Sequence, residues 1–308
     1  MIGLCCHYVK EKVKRDGTFD YVNQMDEKLL QFGQYNSGKY SKEKILDTWI
    51  HNITSFNNCL DAIINDGIRS LRVSSNLFPL FDKELELLES SDKVKNILKQ
   101  AGDKLKSHNM RVTSHPSQFV VLSSLNDNVV DNSINQLKHH AWIFDSMGLD
   151  QTPYYSINIH GGVRNQKEKL IEVANSLPLN VKNRLTFEND ELCYTVKDLY
   201  DVFEKTNVPV CFDSHYHSFN DSELPAEKAF ELAKVTWGKI KPLTHLSNTE
   251  PDLKNGSFKD RRKHSEYVHY IPEYQRLQNN DGLIDIDFEF KQKNLAIKKA
   301  IVDFDIKL

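Results

Sequence analysis

Eight times along this chain a short apolar run of strand length gives way to a longer stretch with helical spacing. The runs are IGLCC (2–6), SLRVSS (70–75), MRVTSH (110–115), YSINIH (155–160), RLTFEN (184–189), VPVCFD (208–213), PLTHLS (242–247) and LIDIDFEF (283–290). The helical stretches include residues 41–67, with Gly67 placed to stop the helix, and residues 83–108, 128–148, 195–206 and 226–237. An amphipathic segment, QKNLAIKKAIVDF, closes the chain. A repeated strand-then-helix order demands a parallel sheet. Eight such units with no Gly-, Ser- or Pro-rich linker predict a single-domain α/β fold, one (β/α)8 TIM barrel over residues 1–308. The seventh unit is irregular, because residues 248–282 are polar and carry Gly256 and NNDG; they read as an inserted loop region. A doubly wound open sheet is the competing fold, but no GxGxxG follows the first run.

Composition narrows the function classes. Of 308 residues, 27% are charged and 39% hydrophobic, the profile of a globular enzyme. The net charge is −3, so a polyanion must be held by a local basic patch or by bound cations. Cys5, Cys6, Cys59, Cys193 and Cys211 are odd in number and form no CxxC pair, which predicts reduced thiols. The apolar start is too short for a signal peptide, and no segment nears the roughly 20 apolar residues of a membrane span. Cytoplasm is the expected location.

In a barrel the C-terminal ends of the strands gather on one face. Six consecutive runs deliver a metal-binding type of side chain there: His115, His160, Glu188, Asp213, His245 and Glu289. His215 and His217 follow Asp213, and His264 lies between the last two runs. Any one of these is more often a hydrogen-bonded strand end or a helix cap. Six together favour a metal site. Imidazole with carboxylate suits Zn, Mn or Fe, and carboxylates can bridge cations, two or three of which about 3.5–4 Å apart clamp a phosphodiester.

The chain resembles the UV damage endonucleases, relatives of endonuclease IV among the xylose-isomerase-like barrels. The likeness runs from IGLCCHYV and RVSSNLFPL through SHPSQFVVLSS, NIHGG, TFEND, VPVCFDSHYH and THLSN to KHSEYV and DFEFKQK. HPSQF and FEND are its most specific segments. The resemblance implies a metal-dependent barrel that nicks damaged double-stranded DNA on the 5′ side of UV photoproducts and some other lesions. It implies that His115, His160 and Glu188 hold one cation. Glu188, Asp213, His245 and Glu289 hold a second, with Glu188 bridging. Together these six form the catalytic centre, with Mn or Zn as the cofactor. His264 and a histidine of SHYH, here His217, would serve a third, weaker site. Gln118 and Phe119 match a Gln–Tyr pair that enters the duplex at the lesion; by itself Phe119 reads as a core aromatic.

Three departures bear on the third site and the wedge. Tyr216 stands where the family has a His, Leu243 where it has a Lys, and Phe119 where it has a Tyr. His215 and His217 would share a face with Asp213 if the segment stays extended. The basic run KDRRKH, with Arg261, Arg262 and Lys263, is the leading candidate for phosphate contact; Arg72, Lys104 and Lys106 are weaker ones. Two other readings compete: a sugar isomerase or epimerase on the same barrel, and a barrel that binds damaged DNA without cutting it. The site as drawn needs no second chain, so a monomer is expected.

Overall fold

The computed structural model describes residues 1–16, 19–220 and 224–308. Its strands are β1 (Ile2–Cys5), β2 (Val9–Val13), β3 (Phe19–Asn23), β4 (Ser70–Val73), β5 (Arg111–Ser114), β6 (Ile157–His160), β7 (Leu185–Glu188), β8 (Val210–Asp213), β9 (Leu243–Leu246) and β10 (Asp285–Phe288). Eight of them close a parallel barrel in the order β1-β10-β9-β8-β7-β6-β5-β4, with β4 back against β1. Each barrel strand falls within one of the eight apolar runs, and the fold is a single-domain TIM barrel. Outward-facing residues such as Leu71, Val112, Ile159, Phe187, Phe212 and Ile286 are buried against the ring of helices. The side-chain period of two sends the alternate residues inward.

The inward residues are unusually polar. At the N-terminal end Arg111 pairs with Asp285 at 3.0 Å, and Lys241 reaches the same carboxylate at 2.7 Å. One layer higher, Asp287 accepts from Thr113 Oγ1 at 3.1 Å and Ser70 Oγ at 3.3 Å. Gly3 makes room for it: a Cβ there would lie 1.9 Å from Asp287 Oδ1. The third layer is the rim described below.

The helices follow the predicted spacing with local corrections. Ser41 caps the helix Lys42–Asn65 by accepting from the Lys44 amide at 3.1 Å, and Gly67 takes a φ of +81° just beyond its end. The stretch 83–108 is two helices, Leu85–Ser90 and Asp92–Ser107, broken where Ser91 caps the second. A helix at Lys167–Ser176, unmarked in the sequence reading, completes the fourth unit. Residues 248–282 hold two short turns, Pro251–Leu253 and Phe258–Arg261, and a helix, Glu273–Asn280. The antiparallel pair β2–β3 was also not foreseen. No helix among the described residues is long and apolar enough to cross a membrane.

Candidate metal centre

Parallel register sets the rim. His160 lies level with Glu188, and Asp213 with His245. Two groups result, His115–His160–Glu188 and Glu188–His245–Glu289. In each, one donor atom per residue lies within 4.8 Å of the others, and Glu188 belongs to both. Its Oε2 is 3.0 Å from His115 Nε2, and its Oε1 is 2.8 Å from His245 Nδ1. Asn158 Nδ2 donates to Oε2 at 2.5 Å and is itself held by Thr186 Oγ1 at 2.8 Å. The carboxylate plane is therefore fixed from the layer below. His115 Nδ1 faces the Pro116 carbonyl oxygen at 3.0 Å, which orients the ring with Nε2 toward Glu188.

The electrostatics favour a cation. Burial opposes ionisation of Glu188, but the charge of His245, the hydrogen bonds of His115 and His245 and the charge of His160 outweigh it and hold the carboxyl well below its usual range. The same carboxylate raises His115 against the pull of burial. Glu289 is lowered against burial by Arg72, His245 and His264. Asp213 goes the other way: burial first, then Glu188 and Glu289, push it well up. Three carboxyl groups thus share a space in which only two readily ionise. Asp213 Oδ2 and His160 Nδ1 are buried and lack a hydrogen-bond partner among the described residues. Open, buried oxygen and nitrogen atoms beside ionised carboxylates fit a hard or borderline divalent ion.

Not every predicted ligand joins the two groups. Asp213 lies outside them, and its Oδ1 accepts from the Tyr216 amide at 2.8 Å. That bond caps a helical turn, Ser214–His217, so the segment is not extended and its side chains do not alternate. His217 is consequently turned away: its Nε2 lies 2.9 Å from the Leu224 carbonyl oxygen and its ring packs 5.5 Å from Phe212. Tyr216 takes the inner place, with its hydroxyl 3.4 Å from His264 Nε2 and its ring 5.8 Å from His160. Burial, Glu289 and Asp213 push that hydroxyl far up, so it is a neutral group. His264 Nδ1 lies 3.7 Å from Glu289 Oε2, at the edge of the centre. Leu243 is sealed against Cys211 and Trp237.

The sequence reading misplaced Arg72. It is a buried member of the centre, with Nη1 2.5 Å from Glu289 Oε1 and Nη2 3.4 Å from Asp287 Oδ2. Nη2 also donates to His245 Nε2 at 2.9 Å. Lys104 and Lys106 sit in the last turn of Asp92–Ser107, which leads into the N-terminal end of β5 and so lies away from the rim. Phe119 is 77% exposed, which excludes the core reading, and Gln118 beside it is exposed too. In the basic run, Arg262 pairs with Glu191, and Lys263 with Asp260 at 2.7 Å. Arg261 instead lies 5.5 Å from the Phe219 ring centroid.

Comparison with known proteins bears on the family and the fold. The UV DNA damage endonuclease of Nostoc sp. is 35% identical over 303 residues, covering 96% of this chain and 88% of the relative. The crystal structure of SacUVDE matches with a TM-score of 0.79 at 27% identity and covers 99% of both chains. Endonuclease IV from Thermus thermophilus matches with a TM-score of 0.54 at 14% identity, covering 80% of this chain and 94% of that one; this likeness speaks for the fold alone. The family model described as UV-endonuclease UvdE matches residues 19–306. This chain belongs to the UV-endonuclease UvdE family.

Proposed function

We propose that the protein is a DNA repair endonuclease that hydrolyses the backbone of damaged duplex DNA on the 5′ side of UV photoproducts. The observation that carries this reading is Glu188, a buried carboxylate shared by two ligand groups at the barrel rim. His115, His160 and Glu188 are the donors for one divalent ion. Glu188, His245 and Glu289 are those for a second, and Asp213, whose buried Oδ2 lacks a hydrogen-bond partner among the described residues, is the carboxyl group that joins them as an ion binds. Mn or Zn suits this mixture of imidazole and carboxylate. Bound there, such ions supply Lewis acidity and positive charge to the phosphodiester. His217 is given no part in a third site, since its Nε2 faces the Leu224 carbonyl.

The chain's own residues do the rest. Asn158 and Thr186 hold Glu188 in one orientation, and Arg72 does the same for Glu289 and His245. Gln118 and Phe119 enter the duplex and stack where damaged bases leave it, a reading supported by the exposure of both side chains. That pair also weighs against a sugar substrate, which needs no wedge. Residues 248–282 act as a loop region that carries the basic run over the rim. The test is an end-labelled duplex with one photoproduct, incubated with the protein and Mn²⁺. A single nick on the 5′ side, abolished by EDTA, is expected. Tight binding without a nick would favour a barrel that recognises damage but does not cut.

A further inference from the structure

The residues that would complete a third cation site do not fit one in this chain. The family's histidine is Tyr216 here, and its lysine is Leu243, which is sealed against Cys211 and Trp237. His217 faces the Leu224 carbonyl oxygen. Among the described residues the ligand-type atoms fall into two groups, and His264 belongs to neither. What stands at this edge of the centre is a phenol beside an imidazole, with Tyr216 Oη 3.4 Å from His264 Nε2.

Tyr216 is firmly mounted and still reachable. Its amide donates to Asp213 Oδ1 at 2.8 Å, and its carbonyl oxygen accepts from the Phe219 and Asn220 amides at 3.0 and 3.2 Å. Its ring meets the His160 ring edge-on at 5.8 Å, beside the first ligand group. The side chain is only half-buried, and His264 keeps 27% of its side-chain surface. The hydroxyl is thus open to a substrate lying across the rim. A neutral phenol, whose ordinary pKa is near 10, donates a hydrogen bond far more readily than it binds a divalent ion. It turns about its C–O bond, and a charged phosphate oxygen is a stronger acceptor than an imidazole at 3.4 Å.

We propose that Tyr216 is a further catalytic residue that takes the place of a third cation: its O–H donates to a non-bridging oxygen of the phosphodiester being cut. The contact adds no charge and moves no proton. It steadies the negative charge on the phosphate oxygens as the backbone bond breaks, from a position fixed before the substrate arrives. The proposal rests on the endonuclease reading.

The test combines metal counting with nicking of a duplex that carries one photoproduct. After dialysis the Mn²⁺-loaded protein should retain two ions per chain, one for each ligand group, and Tyr216→Phe and His264→Gln should retain the same number. Phe keeps the ring and gives up only one 3.4 Å bond, so the fold is retained. In that variant kcat should fall about 100-fold, the scale of one donor lost from a preorganised anion site, with KM within about threefold. Sulfur accepts hydrogen bonds poorly. One phosphorothioate isomer at the cut should therefore slow the unmodified protein more than Tyr216→Phe, a difference that a merely structural tyrosine would not give. Three ions retained by the unmodified protein, loss of an ion in either variant, or full kcat in Tyr216→Phe overturns the assignment and leaves the endonuclease standing. Failure of the unmodified protein to nick overturns the endonuclease and, with it, the phosphate contact.

Discussion

Replacing Arg72 by Met tests how the centre is built. The side chain is buried and countered by Glu289 at 2.5 Å and Asp287 at 3.4 Å, while its Nη2 donates to His245 at 2.9 Å. Met fills the stem's volume but leaves two carboxylates in the barrel without their cation. Breaking a buried pair in this way costs about 3–5 kcal/mol. At roughly 2 °C per kcal/mol for a chain of this size, the metal-free protein should melt about 6–10 °C lower. A divalent ion changes the sum. If His245 ligates through Nδ1, its Nε2 carries the ring proton and faces the Arg72 donor, so Arg72 opposes the second ion. The variant should therefore bind Mn²⁺ more tightly, and saturating Mn²⁺ should recover more than half of the lost melting temperature. Thermal melts in EDTA and in Mn²⁺, with calorimetric titration, measure both effects. An equal loss in the two conditions, with unchanged Mn²⁺ affinity, would refute the reasoning.

Glu188→Gln removes the charge between the two ligand groups; nicking should fall to background and bound metal should drop in elemental analysis, with the circular dichroism spectrum retained. Changing both Gln118 and Phe119 to Ala should weaken binding to damaged duplex by about 1–3 kcal/mol, the scale of one base stacked on an aromatic ring, and leave metal content unchanged. Burial, and secondarily His115, push His140 down to about 4. The unfolded chain takes up that proton near pH 6.5 and the native chain only near 4, so stability is full above 6.5 and falls between the two by about 3 kcal/mol. Denaturant titrations across that window should show the slope, and His140→Gln should flatten it; an unaltered slope would assign the acid sensitivity elsewhere, His139 being the next buried histidine.

The barrel was legible because every strand keeps apolar residues on its outward face, such as Leu71, Val112, Ile159, Phe187, Phe212 and Ile286, in short runs that alternate with helical stretches. The β2–β3 pair left no such run: in β2 only Val9 is buried and the next four residues are exposed, so there is no buried face to set a pattern. The ligand types were legible because they recur at strand ends. The turn at 214–217 was misjudged because one local bond, Asp213 Oδ1 to the Tyr216 amide, winds the chain and exchanges the places of His217 and Tyr216. An aspartate at a strand end followed by a serine is a capping signal, and it was the available clue. Arg72 was misjudged for a different reason. A charge in an apolar run on a chain expected to hold DNA reads as a candidate phosphate contact, and only its partners, 173 and 215 positions away in the chain, make it an interior group.

Those distant partners explain how a rim made of separate strand ends can hold its donor atoms to a few ångströms. Asp287 is braced by Ser70 and Thr113 from two other strands, and it shares Arg72 with Glu289 and His245. His245 in turn meets Glu188, which Asn158 and Thr186 hold from below. Each link joins different strands through a buried, directional bond, and such bonds strengthen where water is excluded. The chain of contacts begins at Gly3, whose missing Cβ lets Asp287 sit where all of them converge. An apolar barrel interior would pack as tightly but could not pass orientation from one layer to the next. The polar interior therefore serves the rim: through Asn158 and Thr186 it sets the direction of Glu188 before any ion arrives, so that binding energy is not spent on ordering that carboxylate.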